Sequence, residues 1–167
     1  MVPEPAETFS LVAELAVAFV GFSGIVVALG RRQSGNLSPL ERRRLGNLFS
    51  QAFAALITSL VALTLLHAEV SEMVVWRLAS AAWAFAATTM LARDWRRLRA
   101  LSEPERALVD RRLLVVIYAA VILTVLLQAS NSVHLHTLWP LLVAVSLNLL
   151  IAFQVFVLLL FTGFRAA

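Results

Sequence analysis

Five long apolar segments alternate with short polar connections along the chain, at residues 10–29, 48–66, 74–92, 113–129 and 138–161. A bilayer core of about 30 Å requires about 20 apolar residues in a helix. Lipid offers no hydrogen-bond partners to the backbone, so a spanning segment must be a helix or a strand of a closed barrel. Barrel strands are alternating segments of about ten residues, whereas these segments are longer and continuous. The pattern predicts an all-α polytopic membrane protein, a single membrane domain over residues 1–167, whose five transmembrane helices form two hairpins plus a fifth helix.

The composition agrees with this fold class. Hydrophobic residues make up 60% of the chain and charged residues 14%, and the mean hydropathy is +0.85. Soluble domains carry about 25% charged residues, so the composition argues against a water-soluble globule. The chain contains no cysteine, which excludes disulfides, thiolate metal sites and cysteine nucleophiles. We expect no cofactor.

The basic residues are all arginines, and all except Arg77 lie in the connections 30–47 and 93–112 or in the C-terminal tail. Cytoplasmic loops carry an excess of basic residues, so we predict that these three stretches are cytoplasmic. Five spans place them all on one side, with the N-terminus outside and the C-terminus inside, whereas four spans would put 93–112 outside. Because arginine without lysine is typical of GC-rich bacterial genomes, we expect the bacterial inner (cytoplasmic) membrane.

Two capping boxes mark helix starts in these connections. Ser38 and Ser102 each precede a glutamate by three residues, with a proline in the first turn. In this motif the serine and the glutamate side chains satisfy backbone N–H groups at a helix start. The second helix is therefore predicted to run from Pro39 to Leu66, and the fourth to begin near the second box, both before the lipid.

A carboxylate and small residues form one stripe on the first predicted helix. Glu14 lies about four residues inside the span, and the stripe continues through Ala18, Gly21, Gly24 and Ala28. An acid in the bilayer usually faces protein or water, and small residues let helix backbones approach closely. One interpretation is therefore helix packing, which favours a homo-oligomer.

The other interpretation of this stripe is an ion path. In a symmetric ring Glu14 would form an acidic outer mouth, Ala18 and Gly21 a narrow throat, and Arg31 and Arg32 a basic cytoplasmic exit. Rings of acids concentrate cations. This interpretation predicts a small oligomeric cation channel or proton- or ion-coupled transporter. The alternative is a non-conducting accessory or structural subunit that packs against a larger membrane complex.

Polar residues on the later spans allow two interpretations. They bond between helices, or they line a polar lumen shared with Glu14. These residues are Gln51, Thr58, Tyr118, Thr124, Gln128, Asn131, Asn148 and Gln154.

Histidines and arginines suggest two further kinds of site. His67, His134 and His136 are predicted on the outer face, where histidine and carboxylate side chains can bind a divalent metal. The clustered arginines are expected to bind anionic lipid headgroups, because they lie close to the membrane and no nucleic-acid recognition module accompanies them. The headgroup arginines are Arg42, Arg43, Arg44, Arg96, Arg97 and Arg99.

Enzymatic activity is not expected. The sequence contains no His-Glu-x-x-His, Gly-x-Ser-x-Gly, P-loop or dinucleotide-binding motif. Function is therefore expected to lie in the bilayer or at its edges.

Overall fold

The computed structural model describes the backbone of residues 4–34, 38–68 and 70–163, and the side chains of the same residues except 26–34 and 161–163. Within these ranges the chain forms six α-helices and one π-helical turn, with no strand. The helices are α1 (Pro5–Ser34), α2 (Pro39–His67), α3 (Glu72–Arg99), α4 (Glu103–Ala107), α5 (Arg111–Ser130) and α6 (Leu138–Gly163), and the π-helical turn is Asn131–Leu135. The predicted all-α fold is confirmed.

Five of these helices are long and apolar enough to cross a membrane. The qualifying stretches are Pro5–Ile25, Pro39–His67, Glu72–Arg99, Arg111–Leu135 and Leu138–Leu160. Each predicted segment falls in a different one of these helices. The helices also extend into the predicted connections, since α2 begins at Pro39 and α3 ends at Arg99. The chain is thus a membrane protein by the length and composition of its helices.

The long helices alternate in direction through the bundle. Phe9 of α1 stacks on Trp76 of α3 with ring centroids 6.1 Å apart, so the first turns of these two helices lie at one end. At the other end Arg43 of α2 lies 2.6 Å from Asp94 of α3. We call this second end the arginine-rich end, because Arg43, Arg44, Arg93 and Arg97 meet there.

Helix α2 occupies the centre and packs against α1, α6 and α3, while α5 packs against α3 and α6. Alanines fill the tightest contacts: Ala52, Ala55 and Ala62 of α2, and Ala144 and Ala152 of α6, are fully buried. In lipid the hydrophobic effect does not drive helices together, so close backbone approach over small residues supplies the packing energy. This alanine-rich seam explains why α2 and α6 can lie side by side.

The two capping boxes have different outcomes. The first is confirmed: the Glu41 amide donates to Ser38 Oγ at 3.2 Å, and the Ser38 amide donates to Glu41 Oε2 at 2.9 Å. The second box also forms, with the Ser102 amide donating to Glu105 Oε2 at 3.2 Å, but it begins only the short helix α4. The prediction that it begins the fourth span is wrong, because Asp110 supplies a later cap.

Asp110 sets the start of α5. Its Oδ1 accepts hydrogen bonds from the Arg112 and Leu113 amides at 2.9 and 3.2 Å. Aspartate is among the preferred residues at this position because its oxygen satisfies amides that have no partner within the helix. The long helix α5 therefore begins separately from α4, directly after Asp110.

Asn131 holds the connection between α5 and α6 in place. The side chain is fully buried. Its Nδ2 donates to Ser80 Oγ at 2.8 Å and to the Thr137 carbonyl at 3.0 Å, while its Oδ1 accepts from the Thr137 amide at 3.0 Å. His136 adopts a left-handed backbone with φ 51°, so the turn is tight. A single amide thus joins α3, the π-helical turn and the start of α6.

Replacing Asn131 with alanine is expected to destabilise the fold by about 1–3 kcal/mol, because Ser80 and the Thr137 backbone lose buried partners. Thermal unfolding in detergent, followed by circular dichroism, measures this as a lower midpoint. The matched control is Ser132→Ala, since among the described residues the Ser132 hydroxyl donates only to the Ala129 carbonyl, three residues earlier. Equal midpoints for the two variants would contradict the assigned role of Asn131.

Candidate functional site

A carboxylate joins three helices at the arginine-rich end. Asp94 of α3 accepts from Arg43 Nη2 at 2.6 Å and from Tyr118 OH at 2.7 Å, both on Oδ2. Its Oδ1 accepts from Asn47 Nδ2 at 2.8 Å. Arg43 and Asn47 lie on α2 and Tyr118 on α5. We call these four residues the Asp94 cluster.

The burial of these charges explains why both carboxylate oxygens of Asp94 have hydrogen-bond partners. The side chains of Arg43 and Asp94 are 9% and 14% exposed. A charge in such a place needs an opposite charge and hydrogen bonds, which Arg43, Asn47 and Tyr118 provide. Arg43 retains a buried Nε with no partner among the described residues.

A cavity of about 540 Å³ lies beside this cluster, between α2, α3, α5 and α6. Ligand sites typically occupy about 300–1,000 Å³. At the arginine-rich end the cavity wall carries Arg43, Arg44, Arg93, Arg97, Asp94 and Asp110. Four arginines against two aspartates leave an excess of two positive charges at this end.

The rest of the cavity is largely apolar. Trp83, Met90, Ile117, Val121, Ile151 and Val155 line it. Phe53 and Ile57 of α2 also line it and are 46% and 58% exposed, so the cavity opens sideways along α2. Asn148, which is only 4% exposed, also lines the cavity, and its Nδ2 has no partner within the described chain. The cavity is therefore amphipathic, with a cationic end and an apolar body.

The residues predicted for the ion path lie elsewhere. Glu14, Ala18, Gly21 and Gly24 are all on the exposed side of α1, and residues 5–25 of α1 contribute nothing to the cavity wall. Among the described residues, no atom outside α1 lies within 4 Å of a Cβ built at Gly21 or Gly24. The side chains of Ala28, Arg31 and Arg32 are outside the described residues. Glu14 therefore does not share the polar lumen of this chain.

The polar residues of the later spans divide between two places. Gln51, Thr58, Asn148 and Gln154 line the cavity. Asn131 and Gln128 instead bond near the other end of the bundle, where Gln128 Nε2 donates to the Pro140 carbonyl. Asn148 and Gln154 point in different directions on α6, yet both reach the cavity because its wall extends around that helix.

The predicted metal ligands are not brought together into a cluster. His67 and His134 are exposed and His136 is half-buried. His67 Nδ1 lies 2.8 Å from the Leu63 carbonyl of its own helix. The parts of the chain that the structure describes contain no group of three histidine or carboxylate side chains able to hold a metal ion.

The arginines assigned to headgroups occupy three environments. Arg43 is buried against Asp94, so its guanidinium faces the bundle. Arg44 and Arg97 line the cavity. Arg42, Arg96 and Arg99 are exposed, and the Arg99 guanidinium lies 4.8 Å from the centroid of the Trp95 ring.

Sequence analysis missed Asp94, the residue on which this end of the bundle converges. Its signal was available. It is an acid among four arginines, directly after an apolar segment. An acid retained at such a position indicates a specific cationic partner.

Comparison of the chain with protein-family models, with curated proteins and with solved structures gives no match.

Substitutions in the Asp94 cluster are expected to lower the stability of the fold strongly, and their effects are expected to be coupled. Asp94→Asn leaves the Arg43 charge buried without its counterion, which we expect to cost about 3–5 kcal/mol. Tyr118→Phe removes one hydrogen bond to a charged group and is expected to cost about 1.5–3 kcal/mol. Because both changes affect the same bond, Tyr118→Phe should cost much less when Asp94 is already asparagine.

Unfolding midpoints in detergent for the two single variants and the double variant measure this coupling. The exposed acid Glu72 provides the control, and Glu72→Gln should leave the midpoint unchanged. Strictly additive costs for Asp94→Asn and Tyr118→Phe would contradict the hydrogen bond between them.

Proposed function

We propose that this protein is an oligomeric integral membrane protein of the bacterial inner membrane that forms a cation path along α1. The observation that carries the proposal is the position of Glu14. Its carboxylate lies on the exposed side of a helix long and apolar enough to cross a membrane. No hydrogen bond or ion pair joins it to another described residue.

A carboxylate in this position must contact protein or water, because contact with hydrocarbon is unfavourable. A charged side chain within a bilayer costs several kcal/mol, about 2.5–3.5 kcal/mol at the centre on insertion scales. Glu14 is about 7 Å along α1 from Phe9, five residues earlier, and Phe9 is stacked on Trp76 at the end of the bundle. Protein or water therefore covers Glu14 in the assembled state.

The face around Glu14 supports a second copy of this chain as that cover. Ala18, Gly21 and Gly24 leave open space beside α1, and small residues permit close approach of two helices in lipid. Copies arranged around an axis bring their Glu14 side chains together. Such a ring of acids attracts cations at the mouth of a narrow apolar passage.

The direction of this path follows from the arginine distribution. The arginine-rich end carries Arg43, Arg44, Arg93 and Arg97, and basic residues favour the cytoplasmic side. We therefore propose an external N-terminus, a cytoplasmic C-terminus and an external ring of Glu14 carboxylates.

The alternative is a non-conducting subunit in which a different membrane protein covers the α1 face. It also relies on the small residues of α1, and the other membrane protein then covers Glu14. The two functions differ in flux, because only the first conducts cations in the absence of a partner.

Cation flux into proteoliposomes tests the proposed function. The purified protein should admit monovalent cations above the leak of empty liposomes, and Glu14→Gln should lower that flux at least about tenfold, because the acids raise the local cation concentration. Glu72→Gln, which removes an exposed acid of α3 near the same end of the bundle, should leave the flux unchanged. Background leak from wild type and Glu14→Gln alike would contradict the cation path and favour the accessory subunit.

Single-cysteine labelling tests the orientation, since the natural chain has no cysteine. Ala107→Cys on α4 and Ser71→Cys before α3 are both exposed and lie at opposite ends of the bundle. A membrane-impermeant maleimide applied to intact cells should label Ser71→Cys alone, and both variants after the cells are opened. Labelling of Ala107→Cys in intact cells would reverse the orientation.

A further inference from the structure

The amphipathic cavity has the features of a binding site that is separate from the proposed cation path. It lies between α2, α3, α5 and α6, whereas the described side chains of α1 contribute none of its wall. Its polar groups are not all satisfied by the protein. Arg43 Nε and Asn148 Nδ2 are buried without partners among the described residues, and both side chains are at least nine-tenths buried.

The cationic end of the cavity suits an anion. Arg43 is neutralised by Asp94, but the described chain gives no hydrogen bond or ion pair to Arg44, Arg93 or Arg97, which line the same end. Gly46 lets one of them come close to α2, because a Cβ there would lie only 2.8 Å from Arg97 Nη1. Arginine groups in this arrangement can donate several hydrogen bonds to a phosphate.

The body of the cavity suits an acyl chain. From the arginines it continues past Met90 and Val121 to Trp83, and its side along α2 is open at Phe53 and Ile57. An opening towards the hydrocarbon allows a molecule to enter from the bilayer while part of it remains there. Asn148 lies farther from the arginine-rich end than the other α6 residues of the wall, so it adds one polar side chain to the apolar body.

We propose that this cavity binds an anionic glycerophospholipid from the surrounding bilayer. Its phosphate is held by Arg44 and Arg97, with Arg43 Nε as a further donor, and one acyl chain occupies the apolar body beside Trp83. Charge complementarity selects the headgroup and the apolar wall selects the chain. The inference does not depend on the function proposed for Glu14.

Native mass spectrometry of the full-length, delipidated protein in detergent tests the site. The probes are phosphatidylglycerol, phosphatidylcholine with the same acyl chains, and glycerol 3-phosphate, which has the anionic group but no chain. We expect one phosphatidylglycerol to be retained per chain, with much weaker retention of the other two probes. Equal retention of the two lipids, or saturable binding of glycerol 3-phosphate at the same concentration, would overturn the proposal.

Two matched double variants separate the cavity from the general basic surface. Arg44→Gln with Arg97→Gln removes cavity arginines, whereas Arg42→Gln with Arg96→Gln removes neighbouring exposed arginines of the same helices. The first pair should weaken retention of phosphatidylglycerol about thirtyfold, since two basic residues near an anionic group contribute about that factor. The second pair should bind as wild type does. Equal weakening in both pairs would show surface binding only and overturn the site.

A third comparison fills the cavity without changing charge. Ala86 lines it and Ala81 lies on the exposed side of the same helix, outside the wall. Ala86→Phe should abolish retention while Ala81→Phe preserves it, with the helical circular dichroism of both variants unchanged. Retention by Ala86→Phe at the wild-type level would overturn the proposal. A lipid-free dimer of the wild type that Ala86→Phe dissociates would also overturn it, since a second copy would then be the occupant.

Discussion

The structure depends on how one carboxylate is held among helices that hydrocarbon surrounds. The Asp94 side chain is only 14% exposed, and its oxygens accept hydrogen bonds from Arg43, Asn47 and Tyr118. These bonds join α2, α3 and α5 at one end. Removing one partner leaves another charge or donor buried, and this asymmetry makes buried polar groups effective in specifying one arrangement. The cavity lies beside the cluster because the cluster fixes the spacing of the helices around it.

The molecule separates two kinds of unsatisfied surface. On α1, Glu14 and the small residues after it face outward, and no other described residue covers them. Within the bundle, Arg43 and Asn148 keep unpaired donors that face inward. The α1 face can be covered by a protein or by an aqueous path. The donors in the cavity can be satisfied by a ligand small enough to enter between the helices. Because they share no residue, assembly and ligand binding can be altered independently.

The sequence was informative where the governing interactions are local. Span length and hydrophobicity predict five membrane-crossing helices, and the Ser38 box predicts where α2 begins, because both depend on neighbours within a few residues. The start of α5 was harder to predict. Ser102 and Asp110 are eight residues apart and both are good N-caps, so local sequence alone does not tell which of them begins the long helix. The Asp94 cluster was missed because its partners Arg43 and Asp94 are 51 residues apart. Glu14 drew attention as an isolated acid in an apolar segment, but a sequence pattern does not say which side of a helix the other helices cover.

The most direct test of this account is a measurement of the Arg43–Asp94 contact in a lipid bilayer. The chain contains only two aspartates, Asp94 and Asp110, so their carboxyl carbons can be distinguished by solid-state NMR in protein labelled with ¹³C-aspartate and ¹⁵N-arginine. The account predicts strong dipolar dephasing of the Asp94 carboxyl carbon by guanidinium nitrogen, absent from the spectrum of Asp94→Asn. An Asp94 carboxyl carbon without such dephasing would contradict the ion pair and the helix arrangement that rests on it.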